Sequence, residues 1–232
     1  MPVFLLSDKI EFPPPQLASE HGLLAVGGDL SQARLLLAYR MGIFPWYSDD
    51  EPLLWWSPDP RLVLYPREIK ISKTLKKVLR KNAFQVTMDL AFGDVIRQCA
   101  DVRREKNEGT WIVEDMMDAY CRLHECGYAH SVEAWHQGEL AGGIYGVSLG
   151  KCFFGESMFS RISNASNVAL VKLVAYLETL SFDMLDCQIP TGHLIRFGAR
   201  KVPRARFLME LERSLEAPTK KGKWQMPETL KH

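Results

Sequence analysis

Two short stretches of this chain place an acid where its neighbours are apolar or small. One is Phe154-Gly155-Glu156-Ser157-Met158-Phe159-Ser160, the other Leu185-Asp186-Cys187-Gln188. A carboxylate removed from water is costly unless it is paired, hydrogen-bonded or used. In an extended segment, residues two apart face the same side. Asp186 and Gln188 are therefore expected to point together, with Leu185 and Cys187 on the opposite face. A carboxylate beside a carboxamide can orient that amide, which can then meet an amine or an oxyanion. A polar pair satisfied inside a strand has the same spacing, so spacing alone leaves both readings open.

The elements that must position these residues come from a 232-residue chain. That length suits one large domain, or a compact domain with a smaller one attached. The composition, 47% hydrophobic and 25% charged, is that of a soluble globular protein with a sizeable core. A net charge of +1 selects no partner, so any nucleic-acid contact must come from a local patch. The five cysteines, Cys99, Cys121, Cys126, Cys152 and Cys187, form no Cys-x-x-Cys and no Cys/His cluster. They fit a reducing compartment and no structural metal. The N-terminus lacks the basic start and long apolar run of a signal peptide. No stretch approaches the roughly 20 apolar residues that span a bilayer. A cytoplasmic protein without a membrane segment is expected.

The first sixty or so residues are rich in Pro, Gly and Trp. Pro13-Pro14-Pro15 predicts an exposed extended run. Ser31 is expected to cap a helix with Leu35, Leu36, Ala38 and Tyr39 on its apolar side, stopped by Gly42. The prolines of Ile43–Tyr47 and of Leu54–Arg61 argue against a regular element in either. Trp46, Tyr47, Trp55 and Trp56 cluster there, either as a wedge between two domains or as a stacking platform. Near residue 62 the pattern becomes regular, which sets a small N-terminal domain (1–62) against a larger one (63–232). Ser72 opens a helix whose outer face carries Lys73, Lys76, Lys77, Arg80 and Lys81. Such a face is either simply solvated or suited to a phosphate backbone.

Residues 84–88 read as a strand, and Asp89 as the cap of a helix through Phe92, Val95, Ile96 and Cys99. A helix with Val113, Met116, Met117, Tyr120 and Leu123 at core spacing follows, ended by Gly127. Three strands are then expected, over residues 130–135, 139–148 and 151–156. Gly142, Gly143 and Gly146 invite a bulge or a close approach. Asn164 or Ser166 caps the longest helix, a strand runs over 184–189, Pro190–His193 is a loop, and Pro203 opens a last helix. The tail after Glu216 reads as polar and mobile. The fold class is α+β, with a central, mostly antiparallel sheet flanked by helices.

With these blocks in order, the chain resembles the bacterial leucyl/phenylalanyl-tRNA–protein transferases. The resemblance rests on Gly22–Leu30, Tyr39–Trp46, Trp55–Arg61, Gly109–Ile112, Gly142–Gly146, Gly155–Ser160 and Asp186–Gln188, and it covers nearly the whole chain. It implies an aminoacyltransferase that moves Leu or Phe from its tRNA to the α-amino group of proteins starting with Arg or Lys, marking them for degradation. It also implies a small N-terminal domain on a C-terminal domain of the acetyltransferase (GNAT-like) type, no metal or organic cofactor, and a cytoplasmic monomer. By matching position, Asp186 and Gln188 fall on the catalytic pair and Glu156 on an acidic acceptor-side position. Trp46 and Trp111 match aromatics near the 3′ adenosine, and Tyr145 and Phe153 fall near the aminoacyl pocket. The chain departs from the pattern after Gln188, where Pro190 and Thr191 replace a leucine-asparagine type of sequence.

Aminolysis of an activated ester needs no covalent nucleophile, in keeping with the absence of a Ser-His-Asp order or a cysteine beside a histidine. On this reading Asp186 orients Gln188, whose amide oxygen accepts from the attacking amine, and Glu156 recognises the cationic acceptor. Phe153, Ile144 and Leu185 are the expected walls of an apolar donor slot. The cations from Lys73 to Lys81 are expected to carry the tRNA body. An acyl-CoA-dependent acyltransferase and a non-catalytic RNA-binding module are the rivals. The first lacks a glycine-bearing phosphate turn in Arg161–Asn164, and the second leaves the acids unexplained.

Overall fold

The computed structural model describes residues 3–105 and 112–231, which form a mixed α+β fold with two sheets. The first sheet contains β1 (Phe4–Leu6), β2 (Leu23–Gly27), β3 (Phe44–Pro45) and β4 (Leu54–Trp56), in the order β1-β2-β4-β3. Helix α1 (Gln32–Arg40) connects β2 to β3, and the Ser31 hydroxyl accepts from the Arg34 N–H as its cap. The proline argument against regular structure fails here. The strands are only two and three residues long, so Pro45 stands at the end of β3 and Pro58 beyond β4. Pro15 likewise is not exposed; it is buried at the start of a short 3-10 turn.

The second sheet begins with β5 (Arg61–Leu64). Helix α2 (Lys73–Arg80), β6 (Gln85–Met88), α3 (Phe92–Glu105) and α4 (Glu114–Glu125) follow. Then come β7 (Ala129–His136), β8 (Glu139–Leu149) and β9 (Cys152–Ser160), the long antiparallel centre. Helix α5 (Ala165–Thr179) leads to β10 (Met184–Asp186), α6 (Gly192–Arg196), β11 (Arg200–Val202) and α7 (Arg204–Leu215). The strand order is β11-β5-β10-β9-β8-β7-β6. Every pairing is antiparallel except β9 with β10, which is parallel.

Two apolar layers cover this sheet. On one face α1, α3, α4 and α7 pack with the N-terminal sheet, so that Leu24, Leu35 and Trp55 share a core with Ile96, Met116 and Phe154. On the other face α5 and α2 pack with Ile144, Phe153 and Leu185. Helix α5 is apolar nearly all round and is correspondingly buried nearly all round. Its N-terminus sits against β8 because Gly142 has no side chain; a Cβ there would lie 2.6 Å from the Ala165 Cβ.

Three further expectations are corrected. Asp89 is not a helix cap. It is buried at φ +54°, and it accepts from His130 Nδ1 (2.8 Å) and from the backbone N–H groups of Ser131 (2.8 Å) and Trp224 (2.6 Å). The Trp224 contact shows that the tail after Glu216 folds back; Trp224 is fully buried and stacks on His130. Loop 190–193 enters α6, where the Thr191 hydroxyl accepts from the Leu194 N–H. Thr191 thus has a capping role that the resemblance did not supply.

Candidate active site

The centre lies where the parallel strands β9 and β10 part. Their pairing ends at Asp186 opposite Phe154, while β9 runs on to Ser160. At the same level β9 carries a bulge. Tyr145 of β8 pairs with Ser157 and Gly146 with Gly155, so Glu156 is the extra residue with no partner across the ladder. A bulge re-aims the side chain it carries. A Cβ at Gly146 would lie 2.1 Å from the Phe154 carbonyl oxygen, which is why glycine occupies that position.

Glu156 is aimed at three neutral donors, from two helices and the loop after β10. Its Oε1 accepts from the Tyr39 hydroxyl of α1 (2.7 Å) and from Nε2 of Gln188 (2.8 Å), and its Oε2 from the Tyr120 hydroxyl of α4 (3.1 Å). The two tyrosine hydroxyls also hydrogen-bond each other. No cation pairs with the carboxylate among the described residues. Burial therefore dominates and pushes the Glu156 carboxyl up to about 7; the Asp186 charge adds to this, and the tyrosine and Gln188 hydrogen bonds oppose it. Burial, with Glu156 beside them, also raises both tyrosines well above the ordinary phenol range, so they remain donors.

Asp186 is built in the opposite way. It is fully buried and bound by Arg61 at both oxygens, Nε to Oδ1 at 2.8 Å and Nη2 to Oδ2 at 2.6 Å. The guanidinium, itself 1% exposed, lies against the rings of Phe44 and Phe207, and its Nη1 donates to the Gly42 carbonyl. The expected side-by-side arrangement with Gln188 is corrected. Strand β10 stops at Asp186, and Gln188 adopts φ +59°. Asp186 Oδ1 accepts from the Gln188 backbone N–H (2.9 Å), not from its amide. A non-glycine residue in this left-handed region costs about 1–3 kcal/mol and persists only where neighbours hold it. Here Asp186 holds its N–H, and the Leu62 N–H donates to its carbonyl. The amide is oriented by Glu156, which takes Nε2 and leaves Oε1 as the free end.

Around Glu156 and Gln188 lies a cavity of about 450 Å³, mostly apolar in its lining. Ile144 and Leu185 form part of its wall, with Met158, Leu170 and Cys187. Trp46 stands at the rim, 38% exposed, in edge contact with Trp56, whose Nε1 donates to the Trp46 carbonyl. Tyr145 and Phe153, both expected near the aminoacyl pocket and Phe153 also as a wall, do not line this cavity. Tyr145 is fully buried behind Glu156 against Tyr120 and Phe92, and Phe153 packs in the opposite core layer against Trp224. Alternation along β8 turns Tyr145 away from the layer of Ile144, whereas Phe153 is the ladder partner of Leu185 on the same face and is packed against Trp224 there. Trp111 lies outside the described residues.

Lys73, Lys76, Lys77, Arg80 and Lys81 are all exposed on α2. The helix reaches a small recess of about 220 Å³ that shares His193 with the main cavity. Sequence reasoning missed Tyr39, Tyr120, Arg61 and Arg103. The tyrosines sat at core spacing on their helices, Arg61 closed a Pro-rich block, and Arg103, which lines the cavity, lay in a charged run. None of these patterns distinguishes a site residue from a core or surface one. No group of three or more His, Cys, Asp or Glu able to hold a metal ion occurs among the described residues. No described helix is long and apolar enough to cross a membrane.

Comparison with known proteins adds an independent line. Residues 63–212 match the family described as leucyl/phenylalanyl-tRNA protein transferase, and residues 28–59 match the N-terminal domain described for the same family. The leucyl/phenylalanyl-tRNA–protein transferase of Syntrophobacter fumaroxidans is 59% identical over 225 residues, covering 97% of this chain and 96% of that protein. The protein of that name from Solidesulfovibrio magneticus is 56% identical over 231 residues, covering 100% and 94%. Identity at this level along the whole length, over both matched regions, shows that the chain belongs to the leucyl/phenylalanyl-tRNA–protein transferase family and is a transferase enzyme.

Proposed function

We propose that this enzyme moves Leu or Phe from aminoacyl-tRNA to the α-amino group of proteins that begin with Arg or Lys, and that the added residue marks them for degradation. The observation that carries the reading is Glu156. It is a carboxyl near neutrality, held by neutral donors only, at the edge of an apolar cavity and in contact with the Gln188 amide.

The chemistry follows from those contacts. An α-ammonium group has an ordinary pKa of about 8, close to that of Glu156. Proton transfer between them is nearly balanced, which suits a general base. The ammonium passes one proton to Glu156 and the Gln188 Oε1 accepts a second N–H, orienting the nitrogen. That nitrogen bonds to the ester carbonyl carbon, the bond to the ribose oxygen breaks, and one nitrogen proton goes to that oxygen. A peptide bond and a free tRNA end result. Holding amine and ester together can supply up to about 7–11 kcal/mol of the barrier. Ile144, Leu185, Met158 and Leu170 would take the apolar donor side chain. One methylene there is worth only about 1–3 kcal/mol, so selection between Leu and Phe should be partial.

Further readings rest on the same basis. Residues 1–62 act as a small domain and 63–232 as an acetyltransferase-type (GNAT-like) catalytic domain, a reading supported by the parting of parallel strands at the cavity. The α2 cations take the tRNA backbone. Replacing Lys76 and Lys77 by Glu should weaken every donor tRNA alike and flatten the salt dependence. The enzyme works as a cytoplasmic monomer without metal or organic cofactor. The deciding experiment is transfer of labelled Leu or Phe from charged tRNA to peptides differing only in their first residue. Transfer to Arg- and Lys-starting peptides is expected, and equal transfer to an Ala-starting peptide would overturn the acceptor assignment.

A further inference from the structure

The main cavity has one permanently charged cation in its described lining, Arg103, from the last turn of α3. Sequence and mechanism have given it no task. It is half-buried, and no carboxylate lies within ion-pair distance of it among the described residues, in contrast to its neighbour Arg104, which reaches Asp101 at 3.6 Å. It lines the same cavity as Glu156 and Gln188. A half-buried guanidinium without an anion forgoes the charge-assisted bonds it is shaped to make. Trp46, the exposed ring of the same cavity, offers a face for a nucleobase.

The size of the cavity limits what goes where. About 450 Å³ suits a single small-molecule-sized ligand. If the proposed reaction is correct, that ligand is the terminal nucleoside with its amino acid. The next group along the donor strand is then a phosphodiester, and it falls at the rim. We propose that Arg103 is the ligand of this phosphodiester, the one joined to the 5′ oxygen of the terminal nucleoside. The inference rests on the transferase reading and adds a subsite to it. A planar fork of N–H donors matches two phosphate oxygens, and the bond is made to backbone rather than base, so it serves Leu and Phe donors equally. It fixes the strand's direction, and hence which face of the ester carbonyl is turned towards Glu156 and Gln188.

The test uses two stable donor mimics, 3′-phenylalanylamino-3′-deoxyadenosine and the same compound with a 5′-methyl phosphate. Each is titrated calorimetrically into the full chain at one fixed ionic strength. The phosphorylated mimic should bind the unaltered protein roughly tenfold to a hundredfold more tightly, the range for a hydrogen bond to a charged group. Arg103→Gln should bring the two mimics to parity while leaving the unphosphorylated one within about twofold, and Arg103→Lys should retain part of the preference. Equal binding of both mimics to the unaltered protein would overturn the subsite, and this arm does not depend on any variant folding. A preference that survives Arg103→Gln would also overturn it. If that variant weakens both mimics equally, Arg103 acts on the nucleoside or the ester and not on the phosphate. Binding of neither mimic would instead overturn the transferase reading beneath it.

Discussion

Asp186 and Glu156 are two enclosed carboxylates in one site, both in touch with Gln188, yet their surroundings make them opposites. Asp186 faces Arg61 through a two-pronged ion pair, with the rings of Phe44 and Phe207 against the guanidinium. Glu156 faces two phenols and an amide and borders a cavity. A counter-ion turns a buried acid into a fixed strut. Neutral donors without a counter-ion leave it able to gain and lose a proton near neutrality. The difference between the two acids is thus a matter of partners, and under the proposed reaction it would give geometry to Asp186 and proton traffic to Glu156.

The harshest way to break this comparison is to remove the strut's cation. Arg61→Ala leaves Asp186 buried and unpaired and should cost about 3–5 kcal/mol of stability. Denaturant melts would measure it, and a loss under about 1 kcal/mol would mean the ion pair is not structural. Asp186→Ala should be similarly damaging, so its loss of activity will come with loss of fold. Glu156→Gln should behave in the reverse manner. We expect kcat/KM to fall by about 10² to 10³ with the fold intact. A matching drop in melting temperature would merge the two acids into one class.

The third test uses pH and stability together. Glu156 is raised from 4.5 to about 7 in the folded protein. Between those values the unfolded chain has released the proton and the folded one still holds it, so stability falls as pH rises through this window. Glu156→Gln cannot pay that penalty. It should match the unaltered protein near pH 4 and exceed it at pH 8, by up to about 3 kcal/mol. The same titration should appear in kcat/KM as a rise centred near pH 7, and in the Gln variant only the rise of the amine's own titration near pH 8 should remain. The smallest expected effect is the sharpest. Tyr39→Phe or Tyr120→Phe removes a donor that favours the ionised carboxylate, so the inflection should move upward by about a unit or less. A downward shift would contradict the assigned direction of those hydrogen bonds.

Much of this was legible in the chain itself. The caps at Ser31 and Ser72 are local chemistry, a hydroxyl three residues ahead of a backbone N–H, and both helices start there. The central hairpins followed from alternation and Gly turns, as did the mostly antiparallel sheet. The acids stood out because their neighbours were apolar. What failed was whatever depended on a remote partner. Asp89 looked like a cap until Trp224 reached it from 135 positions away. Phe153 looked like a pocket wall until Trp224, from the distant tail, packed against it within the layer it shares with Leu185. Gln188 looked like a strand residue until its positive φ took it out of the sheet.

The order of residues determined which groups were present and which short-range contacts they could make: an acid and an amide two apart, a glycine that permits a bulge, a helix face of five cations. Only the folded chain decided how far each acid would titrate, because that depends on Arg61, Tyr39 and Tyr120. These partners lie 125, 117 and 36 positions from the acids they touch. Proton affinity is set by the field at a point in space, and chain separation carries no information about that field until packing brings the partners together.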